Sequence, residues 1–186
     1  MASLQPDTAS ASVIASLYIQ AIRQGQSIWF RVASGSMEPI LHVDDSVYIQ
    51  PVKARDLRIG EIAAFETADG LVIHRIIQRK QTDVTIRLLE MGDVELRPSW
   101  IEEQAVVGRV VAIKQGPRQI DLLDQVARRC GRVTASLRYQ LYYLYTSKKF
   151  IVLRVFSRRF SRLVVHFCYW CICASSASFD DDHIEK

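Results

Sequence analysis

No stretch of this 186-residue chain reaches the roughly 18 to 20 consecutive apolar residues needed to span a bilayer. Residues 11–23 are apolar in part, but the run is short and lacks the basic lead of a secretory signal. The best C-terminal apolar run, Leu163 to Ala174, is also short and contains His166. A protein that is cytoplasmic or peripheral at a membrane, with no transmembrane span, is therefore expected. Cysteine is scarce as well. Of the four cysteines, Cys168, Cys171 and Cys173 are clustered, and the set makes no disulfide framework. Three thiols with His166 beside them match the ligand count of a structural zinc site. Trp170 and Ile172 sit among them, however, and no second knuckle occurs elsewhere, so neither a metal nor another cofactor is expected. Finally, no lysine lies between Lys53 and Lys80, which removes from that span the side chain that could replace histidine as a base.

What is present is unevenly distributed. Lys and Arg total 24 against 20 acids, giving a formal charge of only +4. Half of those 24 bases nevertheless fall between Lys114 and Arg162, where Asp121 and Asp124 are the only acids. A nearly balanced body is thus followed by a basic C-terminal third. Anionic lipid and nucleic acid are the partners such a patch attracts, and of the two a peripheral membrane contact through residues 120–174 is expected, with no nucleic acid.

The opening residues to Ser12 are small and polar and are expected to be disordered. Val13, Ile14, Leu17, Tyr18 and Ile22 recur at helical spacing, and Gly25 predicts the stop. Strands are predicted over 27–33, 47–52, 61–66, 71–77, 84–89 and 105–113, the third and fourth joined through the Asp69-Gly70 hairpin signal and the last bulged at Gly108. Short strands with turns between them predict a mainly β fold, a compact antiparallel sheet or partly open barrel. Gly116-Pro117 breaks that pattern. Leu122, Leu123, Val126 and Cys130 predict a helix from near Asp121, weakened in its middle by Gly131. Val152, Val155, Phe156, Phe160, Leu163, Val164 and Phe167 predict another, with Arg154, Arg158 and Arg162 as a stripe on a different face. That basic amphipathic helix suits either packing on the body or a membrane surface. The organisation expected is a disordered segment 1–12, a catalytic domain 13–116, a basic helical region 117–174 and an acidic tail 175–186.

One stretch has the makings of a reactive site. In Ser34-Gly35-Ser36-Met37-Glu38-Pro39, Gly35 lets the backbone bend after the first strand and Pro39 forbids a central strand from continuing. Ser36 is the candidate nucleophile. A serine hydroxyl is weak at its free pKa and needs a base within hydrogen-bond reach and donors for the developing oxyanion. His74 is the candidate base, since alternation puts it with Val72 and Ile76 on one strand face. Taken alone, a polar turn is usually just a turn and a strand histidine is usually just packed. His42 is nearer to Ser36 in sequence but lies on the way into an acidic turn. Asp93, after Gly92, is the candidate third group that orients the imidazole, with Glu95, Glu102 and Glu103 behind it.

In order, the serine box, Asp45 in its turn, Ile59-Gly60-Glu61-Ile62-Ala63-Ala64-Phe65, Val72-Ile73-His74-Arg75-Ile76, Met91-Gly92-Asp93 and Val107-Gly108-Arg109-Val110 resemble the motif series of type I signal peptidases. The resemblance covers about residues 27–113 and is greatest to the branch that pairs serine with histidine. It implies the mostly β fold that signal peptidases share with self-cleaving repressors, and endoproteolysis of a signal, leader or precursor peptide after a small residue. Ser36 would be nucleophile, His74 general base and Asp93 its acidic partner. The Ser36 N–H and the Ser34 hydroxyl, with Met37 beside them, would serve the oxyanion and the substrate. Substrate would pair in extended form along the strands before Ser36 and around His74. Members of the branch commonly carry another acid past the Gly-Asp pair, where this chain has Arg97-Pro98-Ser99-Trp100. Residues 1–26 hold no anchor of the family's kind, so the resemblance implies either a peripheral anchor in the basic third or a soluble precursor as substrate. Two other readings of the same residues are a self-cleaving repressor-type regulator, which needs a helix-turn-helix and a scissile linker that residues 1–26 lack, and an inactive scaffold that binds membrane or nucleic acid through its basic helix.

Overall fold

The computed structural model describes residues 8–68, 70–146 and 153–175. Eight antiparallel strands form one sheet: β1 (Ile28–Arg31), β2 (Ser46–Pro51), β3 (Ile62–Thr67), β4 (Gly70–Gln81), β5 (Ile86–Met91), β6 (Ser99–Glu102), β7 (Val106–Gln115) and β8 (Arg118–Asp121). Their spatial order is β1-β2-β7-β3-β4-β5-β6, with β8 also paired to β7. The sheet curls into a half-barrel, flanked by α1 (Thr8–Arg23) before it and α2 (Gln125–Thr146) and α3 (Leu153–Ser175) after it. The mainly β architecture with helices at both ends is the one expected.

The curl has local causes. β7, the strand through the middle, slips register twice, opposite Ala64/Phe65 of β3 and opposite Tyr48/Ile49 of β2. Each slip adds a residue on one side and tightens the twist. The bulge expected at Gly108 falls in this region, and the glycine has a further role there: a Cβ at position 108 would lie 2.6 Å from the Gln50 carbonyl oxygen. The strands β3 and β4 meet in the anticipated hairpin, with Thr67 opposite Gly70, which takes φ +111°.

One core cluster gathers Ile19 and Ile22 of α1, Val47 and Ile49 of β2, Val110 and Ile113 of β7, and Ile172 of α3. A second, around Phe65, Ile76 and Leu88, fills the other end of the curl. Each of these large side chains contributes about 1.5–3 kcal/mol by leaving water.

Several expectations are revised in detail. α1 starts at Thr8, inside the segment expected to be disordered, and buries Ile19 and Ile22 while Val13, Ile14 and Leu17 stay 51–60% exposed, because only its last turns lie on the sheet. Gly116-Pro117 does not end the sheet. Gly116 at φ +58° turns the chain back, so that Gln115 opposes Arg118 and β8 is added. α2 begins at Gln125 rather than near Asp121, because the Asp124 carboxylate accepts from the Val126 N–H at 2.7 Å and caps the helix there. The arginine stripe at 154, 158 and 162 falls on the first half of α3, whose side chains lie outside the described residues, as do residues 176–186 of the acidic tail. Among the described residues, no helix is long and apolar enough to cross a membrane.

Candidate active site

The loop after β1 is pinned at both ends. Val32 N–H donates to Asp45 O at 2.8 Å and Asp44 N–H to Val32 O at 2.9 Å, while Met37 and Leu41 sink into the core at 1% and 0% exposure. The turn between them, closed by Glu38 N–H to Gly35 O at 3.2 Å, leaves Ser36 half-buried on the rim of the sheet. Ser34 Oγ stands 3.5 Å from Ser36 Oγ.

β4 brings His74 to the same rim. Its Nε2 lies 3.1 Å from Ser36 Oγ, and its Nδ1 lies 2.6 Å from Glu90 Oε2 on β5. Ile76 is directly opposite Glu90 in the β4–β5 ladder, so His74 and Glu90 are diagonal neighbours on one face, within reach of each other's long side chains. An ionised carboxylate only accepts, so the hydrogen of a neutral imidazole sits on Nδ1 and donates to Glu90. The lone pair of Nε2 then faces the Ser36 hydroxyl, which donates to it. Gly92 makes the close fit possible. A Cβ there would lie 2.8 Å from Ser36 O and 3.1 Å from His74 Nε2.

The acid in contact with the imidazole is Glu90, and the carboxylate of Asp93, expected in that place, is bonded by Arg75 instead. Neighbouring strand residues point to opposite faces, so Arg75 leaves the sheet on the side away from His74. Arg75 Nε and Nη2 donate to Asp93 Oδ1 and Oδ2 at 3.0 and 2.6 Å, and both side chains are buried. A second buried guanidinium, Arg138 of α2, donates to the carbonyls of Gly92, Asp93 and Glu95 at 2.6, 2.7 and 2.6 Å. Burial pulls the Arg138 pKa below its ordinary value, opposed by the Asp93 carboxylate. The segment is held onto the serine loop by Val94 N–H to Ser36 O at 3.1 Å. Asp93 therefore fixes the loop on which the site rests.

The other candidates are distributed elsewhere. Glu95 faces Arg97 and Glu102 faces Arg87, both pairs exposed, and Glu103 opens a short 3-10 turn. His42 sits with Asp45, whose carboxylate accepts from the His42 N–H and from Gln115 Nε2 at 2.8 and 2.7 Å. Met37 is core rather than cleft wall alone. Glu90 went unnoticed in the sequence, although a lone acid in Leu88-Leu89-Glu90-Met91 is a visible signal, since carboxylates are rarely buried without a partner. Among the described residues, no group of three His, Cys, Asp or Glu side chains is placed to hold a metal ion. The cysteines face inward between the last two helices, where burial and the neighbouring Cys168 push the Cys130 thiol up to about 11.

A hydroxyl, an imidazole and a carboxylate in series is the arrangement that acyl-transfer hydrolases use to activate a serine. The chain is similar to the signal peptidase complex catalytic subunit SEC11C of Homo sapiens, Mus musculus and Canis lupus familiaris, at 36% identity over 90 residues, 42% of this chain and 47% of the relative in each case. It thus spans about half the length of the curated relatives it matches. No family model matches the chain.

Proposed function

We propose that this protein is a serine endopeptidase of the signal-peptidase type, cleaving a signal, leader or other precursor peptide after a small residue. The observation that carries the reading is the series Ser36–His74–Glu90, at 3.1 and 2.6 Å. Ser36 Oγ attacks the scissile carbonyl carbon as its proton passes to His74 Nε2. The imidazolium so formed is stabilised by Glu90, which also holds the ring in position. The Ser36 N–H and the Ser34 hydroxyl donate to the oxyanion. Collapse expels the amine with the proton from His74, and water then hydrolyses the acyl-serine through the same relay.

The cleft beside Ser36 supports the substrate class. Its volume is about 250 Å³, and Phe30, Val32, Leu41 and Ile73 give it apolar walls suited to a small side chain. β1 stands at one end of the sheet and has no strand on its outer edge among the described residues, which suits pairing with an extended peptide. On this reading α1 and the sheet through Asp121 form the catalytic body, and α2 and α3 a basic helical region that docks on a membrane surface. In favour of that docking, Leu163, Phe167 and Trp170 recur at helical spacing on α3 and are 63–67% exposed, following the arginines of the helix's first half.

Ser36→Ala and His74→Ala each remove the relay. Both should abolish cleavage of a precursor peptide while circular dichroism and thermal unfolding stay those of the parent. Cleavage that survived both substitutions would end the peptidase reading. Membrane docking is tested by vesicle sedimentation of Phe167→Ser/Trp170→Ser, and pelleting equal to the parent's would end that part of it.

A further inference from the structure

On another side of the sheet from the serine, a cavity of about 270 Å³ opens between the turn before β3 and helix α2. Its floor is a main-chain contact. A Cβ on Gly60 would lie 2.5 Å from Arg132 N, and one on Gly131 would lie 2.6 Å from Gly60 O. Only glycine at both positions lets the helix approach so closely, which explains the Gly131 that weakens the helix interior. Around this floor the lining includes Arg58, Arg75, Arg109, Arg128, Arg129 and Arg132, with Glu61 as its acid.

Two of those guanidiniums have carboxylate partners, Arg75 with Asp93 and Arg109 with Glu61 at 3.4 Å. Arg58, Arg128, Arg129 and Arg132 have no ion-pair partner among the described residues. The last three stand one, three or four positions apart on one helix, where like charges repel one another. Furthermore, the Nε–H groups of Arg109 and Arg128 are buried and have no acceptor among the described residues. Buried donors without acceptors are costly, and such groups find partners. The apolar remainder of the wall includes Ile59, Leu122 and Ile172.

We infer that this cavity is a binding site for a phosphomonoester dianion. Tetrahedral phosphate oxygens match the forked donors of several arginines at once, and a double negative charge answers the uncompensated positive charge around the floor. The source is either a free phosphate compound or the headgroup of a lipid such as phosphatidic acid. The site does not depend on the peptidase chemistry, and its test does not read cleavage.

The full chain is titrated calorimetrically with inorganic phosphate at ionic strength held constant with sodium chloride. In parallel it is sedimented with phosphatidylcholine vesicles, with and without phosphatidic acid. Each measurement is repeated on Arg128→Gln/Arg132→Gln, whose substitutions lie on the partly exposed helix face. Saturable phosphate binding weakened about tenfold or more in the variant supports a soluble phosphate ligand. Phosphatidic-acid-dependent pelleting that the variant loses and excess phosphate reverses supports the lipid source. If neither signal appears, or if both are unchanged in the variant, the inference is overturned.

Discussion

Two carboxylates three residues apart, Glu90 and Asp93, meet two nitrogen-bearing side chains adjacent on β4, His74 and Arg75, and the pairs serve opposite ends. Glu90 and His74 share the rim of the cleft, where the imidazole keeps 21% of its side chain exposed and one nitrogen turned toward a hydroxyl. Asp93 and Arg75 are sealed inside, at 0% and 4%, with each of the three guanidinium nitrogens bonded. One pair is left with a bond to make to something that arrives. The other is complete. The difference follows from strand alternation together with the β4–β5 register, and it means that an acid in a Gly-Asp turn is not thereby the acid in contact with the imidazole.

The largest effect expected from breaking the comparison is on the rim. Glu90→Gln removes the charge that stabilises the imidazolium and offers Nδ1 an amide in its place. The turnover of a precursor peptide should fall roughly 10³- to 10⁴-fold with the unfolding midpoint nearly unchanged. A fall of less than tenfold would show that His74 is held by other means. On the sealed side the readouts exchange places. Asp93→Asn leaves Arg75 as a buried charge with a poor partner, and should cost about 3–5 kcal/mol of stability in denaturant titration. Should Asp93→Asn instead abolish turnover in a protein of parental stability, the division of labour drawn here is wrong.

Gly92 lies between the two pairs and touches the rim. Gly92→Ala puts a methyl against the backbone Ser36 O and against His74 Nε2, and the displacement should lower kcat by about 10- to 100-fold and cost about 1–3 kcal/mol of stability. The smallest effect concerns Cys130, between α2 and α3. With its pKa raised to about 11 from an ordinary 9.0, the thiol stays protonated at pH 8 and should be alkylated more slowly than a free thiol. The sign for stability follows: the folded state holds this proton more tightly, so the contribution is complete below pH 9 and is lost as pH rises toward about 11. A rate equal to that of a small free thiol would show the helices parting there.

Much of this was legible beforehand because it is local. Alternation located β2, β3, β4 and β7, and the hairpin at Gly70 followed from turn chemistry. Ser36 and His74 stood out because a bent serine turn and a strand histidine are separately recognisable, and the structure brings them to 3.1 Å. Glu90 was hidden by its apolar neighbours and by the more familiar look of Gly92-Asp93. Its diagonal contact with His74 depends on the β4–β5 register, and that register slips between Ile76 and Gln78, which no single-strand pattern reveals. The role of Arg138 was equally out of sight, since nothing in a helix sequence announces that one arginine will be 2% exposed and bonded to three carbonyls of a distant loop.

That arginine changes how the chain can be divided. Removing everything after Gly116 would strip β8 from β7 and leave the Gly92, Asp93 and Glu95 oxygens without their donor. The sheet and the basic helices are therefore separable in composition but not with scissors. Any partner that grips α2 holds one end of a lever whose other end rests under the serine.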